Sequence, residues 1–145
     1  MPDHRKHRGP HPQDAELFGP ETWILLREAV GHLSWLLSKK YPPNSSLKLV
    51  GDRFQLNQRH RTAVLRCSCA DGSLEERLER QITVEELAGR ELHLDGFNVL
   101  TSIEAALAGG VILCGREGCC RDMASMHGTY RKVFETARQK REMGQ

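Results

Sequence analysis

Asp95 and Asn98 are the residues of this 145-residue chain whose types and spacing most clearly suit chemistry. The run Leu92-His93-Leu94-Asp95-Gly96-Phe97-Asn98 reads as a short apolar strand over residues 91–95 that ends on a carboxylate and turns directly into a helix. In open α/β sheets reactive groups gather at the carboxyl ends of strands, so an acid there can hold a metal. Gly96 permits a tight turn, and Asn98 can cap the helix while aiming its amide at whatever Asp95 holds. A hard cation, Mg²⁺ or Mn²⁺, prefers oxygen ligands and keeps several waters, so few carboxylates suffice when substrate phosphate completes its shell. Phosphodiester hydrolysis is the reaction such an ion supports, by polarising the phosphate and activating a water. Asp122, beyond a second apolar strand, is the expected auxiliary acid and second metal ligand, although a loop ion pair with Arg121 or Arg116 accounts for it equally well. Glu104 lies roughly 9 Å into the following helix at 1.5 Å per residue and reads as a surface charge. Asp-Gly-x-Asn also describes a plain turn with an N-cap.

Charge is unevenly distributed. From Lys39 to Arg66 seven basic residues stand against one acid, Asp52, and from Asp71 to Asp95 eight acids stand against three arginines. This polarity fits a polyanion-binding face beside an acidic catalytic region, or equally two ordinary solvated faces. On the first reading Arg53, Arg59 and Arg61 grip the phosphates of RNA or another nucleic acid without reading sequence. Arg116 and Arg121 then clamp phosphate from a loop, and His127 and Arg131 add an anion site at a helix start. Solvated arginines and a helix-entry histidine bonded to backbone are the plain alternatives.

The five cysteines are odd in number and fall as Cys67-x-Cys69, Cys114 and Cys119-Cys120, poor material for a disulfide framework. Their spacing also suits zinc badly, since structural sites use Cys-x2-4-Cys corners, and zinc is not expected. Cys114, inside an apolar strand, reads as a small buried hydrophobe.

The elements that must position these groups are mostly helical. Gly19-Pro20-Glu21 opens a long helix through about Lys39, because proline is tolerated in the first turn and an acid suits the positive helix end. Trp23, Leu26, Ala29, Val30, Leu33, Leu36 and Leu37 form its apolar face, which places both Trp23 and Trp35 in the core. Pro42-Pro43 stops it. Asn44-Ser45-Ser46 and Asn57 can cap two short helices, and Ser73-x-x-Glu76 and Thr83-x-x-Glu86 have capping-box spacing. A helix over 99–108 ends at Gly109-Gly110, and Val111-Ile112-Leu113-Cys114 suits a strand covered on both faces. Strand, helix, strand is a βαβ unit with a short parallel sheet. A final helix begins at Gly128-Thr129-Tyr130.

Several of these stretches together resemble a known family. Leu94-Asp95-Gly96-Phe97-Asn98-Val99-Leu100 is similar to the first strand of PIN-like domains of the NYN type, metal-dependent ribonucleases whose first acid Asp95 matches. Leu49-Val50-Gly51-Asp52-Arg53-Phe54, Gln58-Arg59-His60-Arg61, Glu104-Ala105-Ala106-Leu107 and His127-Gly128-Thr129-Tyr130-Arg131 resemble the prokaryotic domain of unknown function numbered four hundred and thirty-four. In that family a helical module precedes a PIN-like domain. The resemblance implies an α/β (α+β overall) protein with a disordered basic tail over 1–13, a helical module over 14–88 and a partial PIN-like domain over 89–145. Asp95 would be the principal ligand, Asn98 would orient a metal-bound water or phosphate, and Asp122 would assist.

The family pattern runs through further strands than this chain contains, so the sheet is expected to be incomplete. An unpaired strand edge favours completion by a second copy, which makes a non-catalytic nucleic-acid-binding or protein-interaction module the rival expectation. The longest apolar run, Trp23 to Leu26, is far short of the roughly 20 residues a membrane span needs. No membrane partner is expected, and the cytoplasm is the default location.

Overall fold

A computed structural model of the chain describes residues 10–123. The expected tail lies mostly outside these residues, as do the final helix, His127 and Arg131. Helix α1 (Asp14–Leu17) leads into the long α2 (Pro20–Ser38), followed by α3 (Pro43–Arg53), α4 (Gln58–Cys67), α5 (Asp71–Arg80), the short α6 (Val84–Leu87) and α7 (Gly96–Leu107). Two strands, β1 (Ile112–Cys114) and β2 (Cys120–Asp122), close the described chain as an antiparallel hairpin.

Local chemistry accounts for most helix ends. Pro20 sits in the first turn of α2 and Pro43 in that of α3, where a missing N–H costs nothing. Asn57 Oδ1 accepts from His60 N at 2.9 Å to start α4, and Thr83 and Glu86 form a complete capping box on α6. The expected box at Ser73 is absent, because α5 begins two residues earlier, at Asp71. Three helices end in the same way: α2 turns off through Tyr41 N to Leu36 O, α3 through Leu56 N to Gly51 O, and α7 through Gly110 N to Ala105 O. These are Schellman closures, with Lys40, Gln55 and Gly109 in the left-handed region. Backbone geometry therefore ends α2 before the Pro42-Pro43 stop is reached.

The core is built by three helices. Ala29 and Leu33 of α2, Val50 of α3, Leu56 of the α3–α4 connection and Val64 of α4 are buried together, sheathed by Leu26, Val30, Leu36, Leu37, Leu47 and Phe54. The expected face of α2 is the one that packs, but Trp23 and Trp35 are not in the core: they are 50% and 58% exposed. Trp23 Nε1 donates to Phe18 O at 2.8 Å, and the Lys39 ammonium lies 5.7 Å from the Trp35 ring. The hairpin packs on α4 and α7 and so joins the C-terminal elements to the bundle.

The architecture is α+β, mostly helical, with a two-stranded antiparallel sheet. It departs from the parallel βαβ unit for two reasons. The second apolar run, β1, pairs antiparallel with β2 across the chain reversal between Cys114 and Cys120, instead of parallel with residues 91–95. Gly115 O accepts from Gly118 N and Gly115 N donates to Cys119 O, so Arg116-Glu117-Gly118 is a three-residue hairpin loop with Gly118 at φ 82°. Residues 91–95 are extended and exposed without forming a strand, and Leu92 and Leu94 lie 53% and 70% open. Ile112 and Cys114 are exposed too, so the second apolar run is not a strand covered on both faces, nor is Cys114 buried.

Candidate functional site

Helix α7 organises the site. Asp95 occupies its N-cap position, but its side chain makes no capping bond; Oδ2 instead accepts from Asn98 Nδ2 at 2.5 Å. Asn98 is thus inside the first turn rather than capping it, and its amide is aimed at Asp95 itself. One turn on, Ser102 Oγ donates to Asp122 Oδ2 at 2.6 Å. With 3.6 residues per turn, Asp95, Asn98 and Ser102 fall within about 60° around α7 and span roughly 10 Å along it. Both predicted acids therefore border one flank of one helix.

That flank is polar and unequal at its two ends. Asp95 is exposed. Asp122 is mostly enclosed: its backbone O accepts from the Arg66 guanidinium, which also stands 3.9 Å from Asp122 Oδ1. Next to this flank Thr101, Glu104 and Ala105 lie in the interior, and Glu104 is 0% exposed, a buried acid rather than the expected surface charge.

A hard cation that keeps most of its waters would need oxygen donors open to solvent. Asp95 offers a solvent-facing carboxylate with one oxygen steadied by Asn98. Ligand distances of roughly 2.0–2.6 Å do not let one ion join acids spaced as far apart as Asp95 and Asp122. Among the described residues no three His, Cys, Asp or Glu side chains converge as a metal-holding group. Asp95 stands open to solvent at one end of the flank, with Asp122 held at the far end by Ser102.

Four of the predicted phosphate-binding arginines, Arg59, Arg61, Arg116 and Arg121, are engaged with the protein's own acids and carbonyls. Arg59 meets Asp14 through Nε at 2.8 Å and Nη2 at 2.9 Å, a bidentate pair on a carboxylate only 4% exposed. Arg61 donates to Leu56 O at 2.9 Å and Asp52 Oδ1 at 2.8 Å. Bonds from Lys48 and then Arg61 hold the Asp52 carboxyl below its usual range. Arg53 lies 5.8 Å from the Phe54 ring. Arg116 donates to Cys69 O at 2.6 Å and Asp71 Oδ1 at 2.9 Å, and Arg121 closes on the buried Glu117. Burial pushes the Glu117 carboxyl up, but its own backbone amide, Arg121 and Arg77 more than reverse this and leave it below the usual range.

Asp14, Ser102 and Glu117 are the functional partners that no sequence pattern singled out. Arg59 and Asp14 are 45 residues apart, and Ser102 and Asp122 are 20 apart, beyond any local spacing rule.

A mostly helical α+β protein with an acidic flank on its last described helix is the class that this geometry defines. Residues 25–80 match the family model described as Protein of unknown function (DUF434), and residues 84–145 match the one described as Domain of unknown function (DUF5616). The chain is also similar to Uncharacterized protein MJ0935 of Methanocaldococcus jannaschii, with 24% identity over 106 residues, covering 73% of this chain and 51% of the relative. It thus spans about half the length of that curated relative. No solved structure matches. None of these descriptions carries a PIN-like assignment. No described helix is long and apolar enough to cross a membrane.

Proposed function

We propose that this chain is a nuclease-like protein that hydrolyses phosphodiesters, RNA first among them, with Mg²⁺ or Mn²⁺ held at Asp95. The supporting observation is the shared flank of α7, where the Asp95–Asn98 and Ser102–Asp122 pairs lie one turn apart. PIN-like ancestry and a cytoplasmic setting belong to this reading. When bound, the ion would polarise the phosphate and lower the pKa of a water. Asp95 would ligate it, Asn98 would fix the carboxylate's orientation, and Ser102 would keep Asp122 facing the same flank as an auxiliary acid. Nucleic acid would reach the flank without the α4 arginines, whose charges are met internally, while Arg53 lies against the Phe54 ring.

The test is hydrolysis of single-stranded RNA with Mn²⁺ by wild type and Asp95→Asn. Mn²⁺-dependent cleavage lost in the variant supports the reading; equal cleavage in both, or none in either at high protein concentration, overturns it.

A second reading, a non-catalytic interaction module completed by another copy, is favoured by one observation. Leu92 and Leu94 stand exposed in the non-helical segment that leads into α7, with Phe97 exposed in the first turn of the helix. Such a run can add to a sheet edge. Sedimentation across a concentration series separates the readings, because an invariant monomer argues against completion by a partner copy.

A further inference from the structure

We propose that Cys114 and Cys120 are a redox-modification site, a thiol pair that closes into a reversible cross-strand disulfide on reaction with a low-molecular-weight disulfide.

The register carries the inference. Cys114 and Cys120 lie directly opposite each other in the hairpin, so their side chains project from the same sheet face. Gly115 N donates to Cys119 O, which makes Gly115 and Cys119 the hydrogen-bonded pair. Alternation along an antiparallel ladder then makes Cys114 and Cys120 a non-hydrogen-bonded pair, with Cα atoms about 4.5 Å apart and side chains at their closest. Disulfides span Cα separations of about 4.4–6.8 Å, so the bridge needs little backbone movement. Both cysteines are free and exposed, open to a dissolved oxidant.

The other thiols are poorer partners. Cys119 is adjacent to Cys120, and neighbouring Cα atoms about 3.8 Å apart fall below the usual disulfide span. As the partner of Gly115 it also projects from the opposite face. Cys69 is buried. Cys67 lines the apolar cleft that also borders Cys114, but burial, Cys114 and Glu117 outweigh Arg121 and push its thiol up. Burial thus disfavours its thiolate, which is the attacking form.

The chemistry balances in two exchanges. The thiolate of one cysteine attacks the oxidant disulfide, forming a mixed disulfide and expelling one small thiolate, which takes up a proton. The second protein thiolate then attacks the protein sulfur, expelling the other small thiolate. The two protein thiols become one disulfide, and the oxidant becomes two thiols. The bridge fixes the hairpin register two residues before Asp122, and so reinforces the placement of that acid on Ser102.

The full-length chain is treated with oxidised glutathione, its remaining thiols are blocked, and linked peptides are identified by mass spectrometry before and after dithiothreitol. The expected result is an intramolecular link, reversible by dithiothreitol, in wild type and Cys119→Ser and abolished in Cys114→Ser and Cys120→Ser. Circular dichroism confirms that each variant is folded. A link that survives Cys120→Ser, a link from Cys67 to Cys114, products limited to mixed disulfides or linked dimers, or full retention of free thiols would each overturn the proposal.

Discussion

Ser102 Oγ donates a 2.6 Å hydrogen bond to Asp122 Oδ2, and that bond fastens strand β2 to the helix whose N-cap position is Asp95. The second acid thereby acquires a fixed place relative to the first.

Ser102→Ala removes this tether. Hydrogen bonds to charged groups are worth roughly 1.5–3 kcal/mol, and partial solvent access at this site reduces the expected loss to about 1 kcal/mol. Urea unfolding should show a lower midpoint with an unchanged slope. An unchanged midpoint would mean that the bond does not hold β2.

Arg59 is expected to act in stability. Arg59→Ala strands the Asp14 carboxylate in a buried position, and breaking such a pair costs roughly 3 kcal/mol. The double variant with Asp14→Asn should lose less than the two single changes together. A stable Arg59→Ala that instead lowers the salt dependence of RNA binding would restore the phosphate-contact role.

Glu117 sets an acid limit. Its carboxyl lies below the usual range in the folded protein, so its stabilising contribution is complete above the unfolded value, near 4.5. The contribution declines as pH falls through the depressed folded value, because the unfolded chain takes up the proton first. Glu117→Gln should lower stability at neutral pH and flatten the loss below about pH 4.5. Parallel acid-unfolding curves for variant and wild type would contradict this account.

The helices were legible in the sequence because their determinants are local. Gly19-Pro20-Glu21, Asn57, Thr83 with Glu86, and Gly109 all mark ends that the structure shows. The Asp95–Asn98 contact likewise follows from i, i+3 proximity at a helix start. The parallel sheet expected from the apolar runs does not follow, since apolar content alone does not say what covers a strand. The available sign was Arg116-Glu117-Gly118, a three-residue loop with glycine at its left-handed position. The role of the arginines depended on non-local partners, such as Asp14 for Arg59, which no window of sequence brings together.

Gln55 offers a stabilising change. It closes α3 at φ 52°, a left-handed conformation that glycine adopts without strain. Gln55→Gly should raise the unfolding midpoint by an amount equivalent to about 1 kcal/mol. A lower midpoint would show that the side chain contributes more than its backbone conformation costs.

The central claim is that Asp95 holds a hard cation together with substrate phosphate. Electron paramagnetic resonance of Mn²⁺ in the presence of a single-stranded 2′-O-methyl oligonucleotide, which binds without being cleaved, tests it most directly. Wild type should remove the free-ion signal in an oligonucleotide-dependent way, and Asp95→Asn should bind the ion about tenfold more weakly, equivalent to about 1.4 kcal/mol. Equal Mn²⁺ uptake by wild type and Asp95→Asn would contradict it.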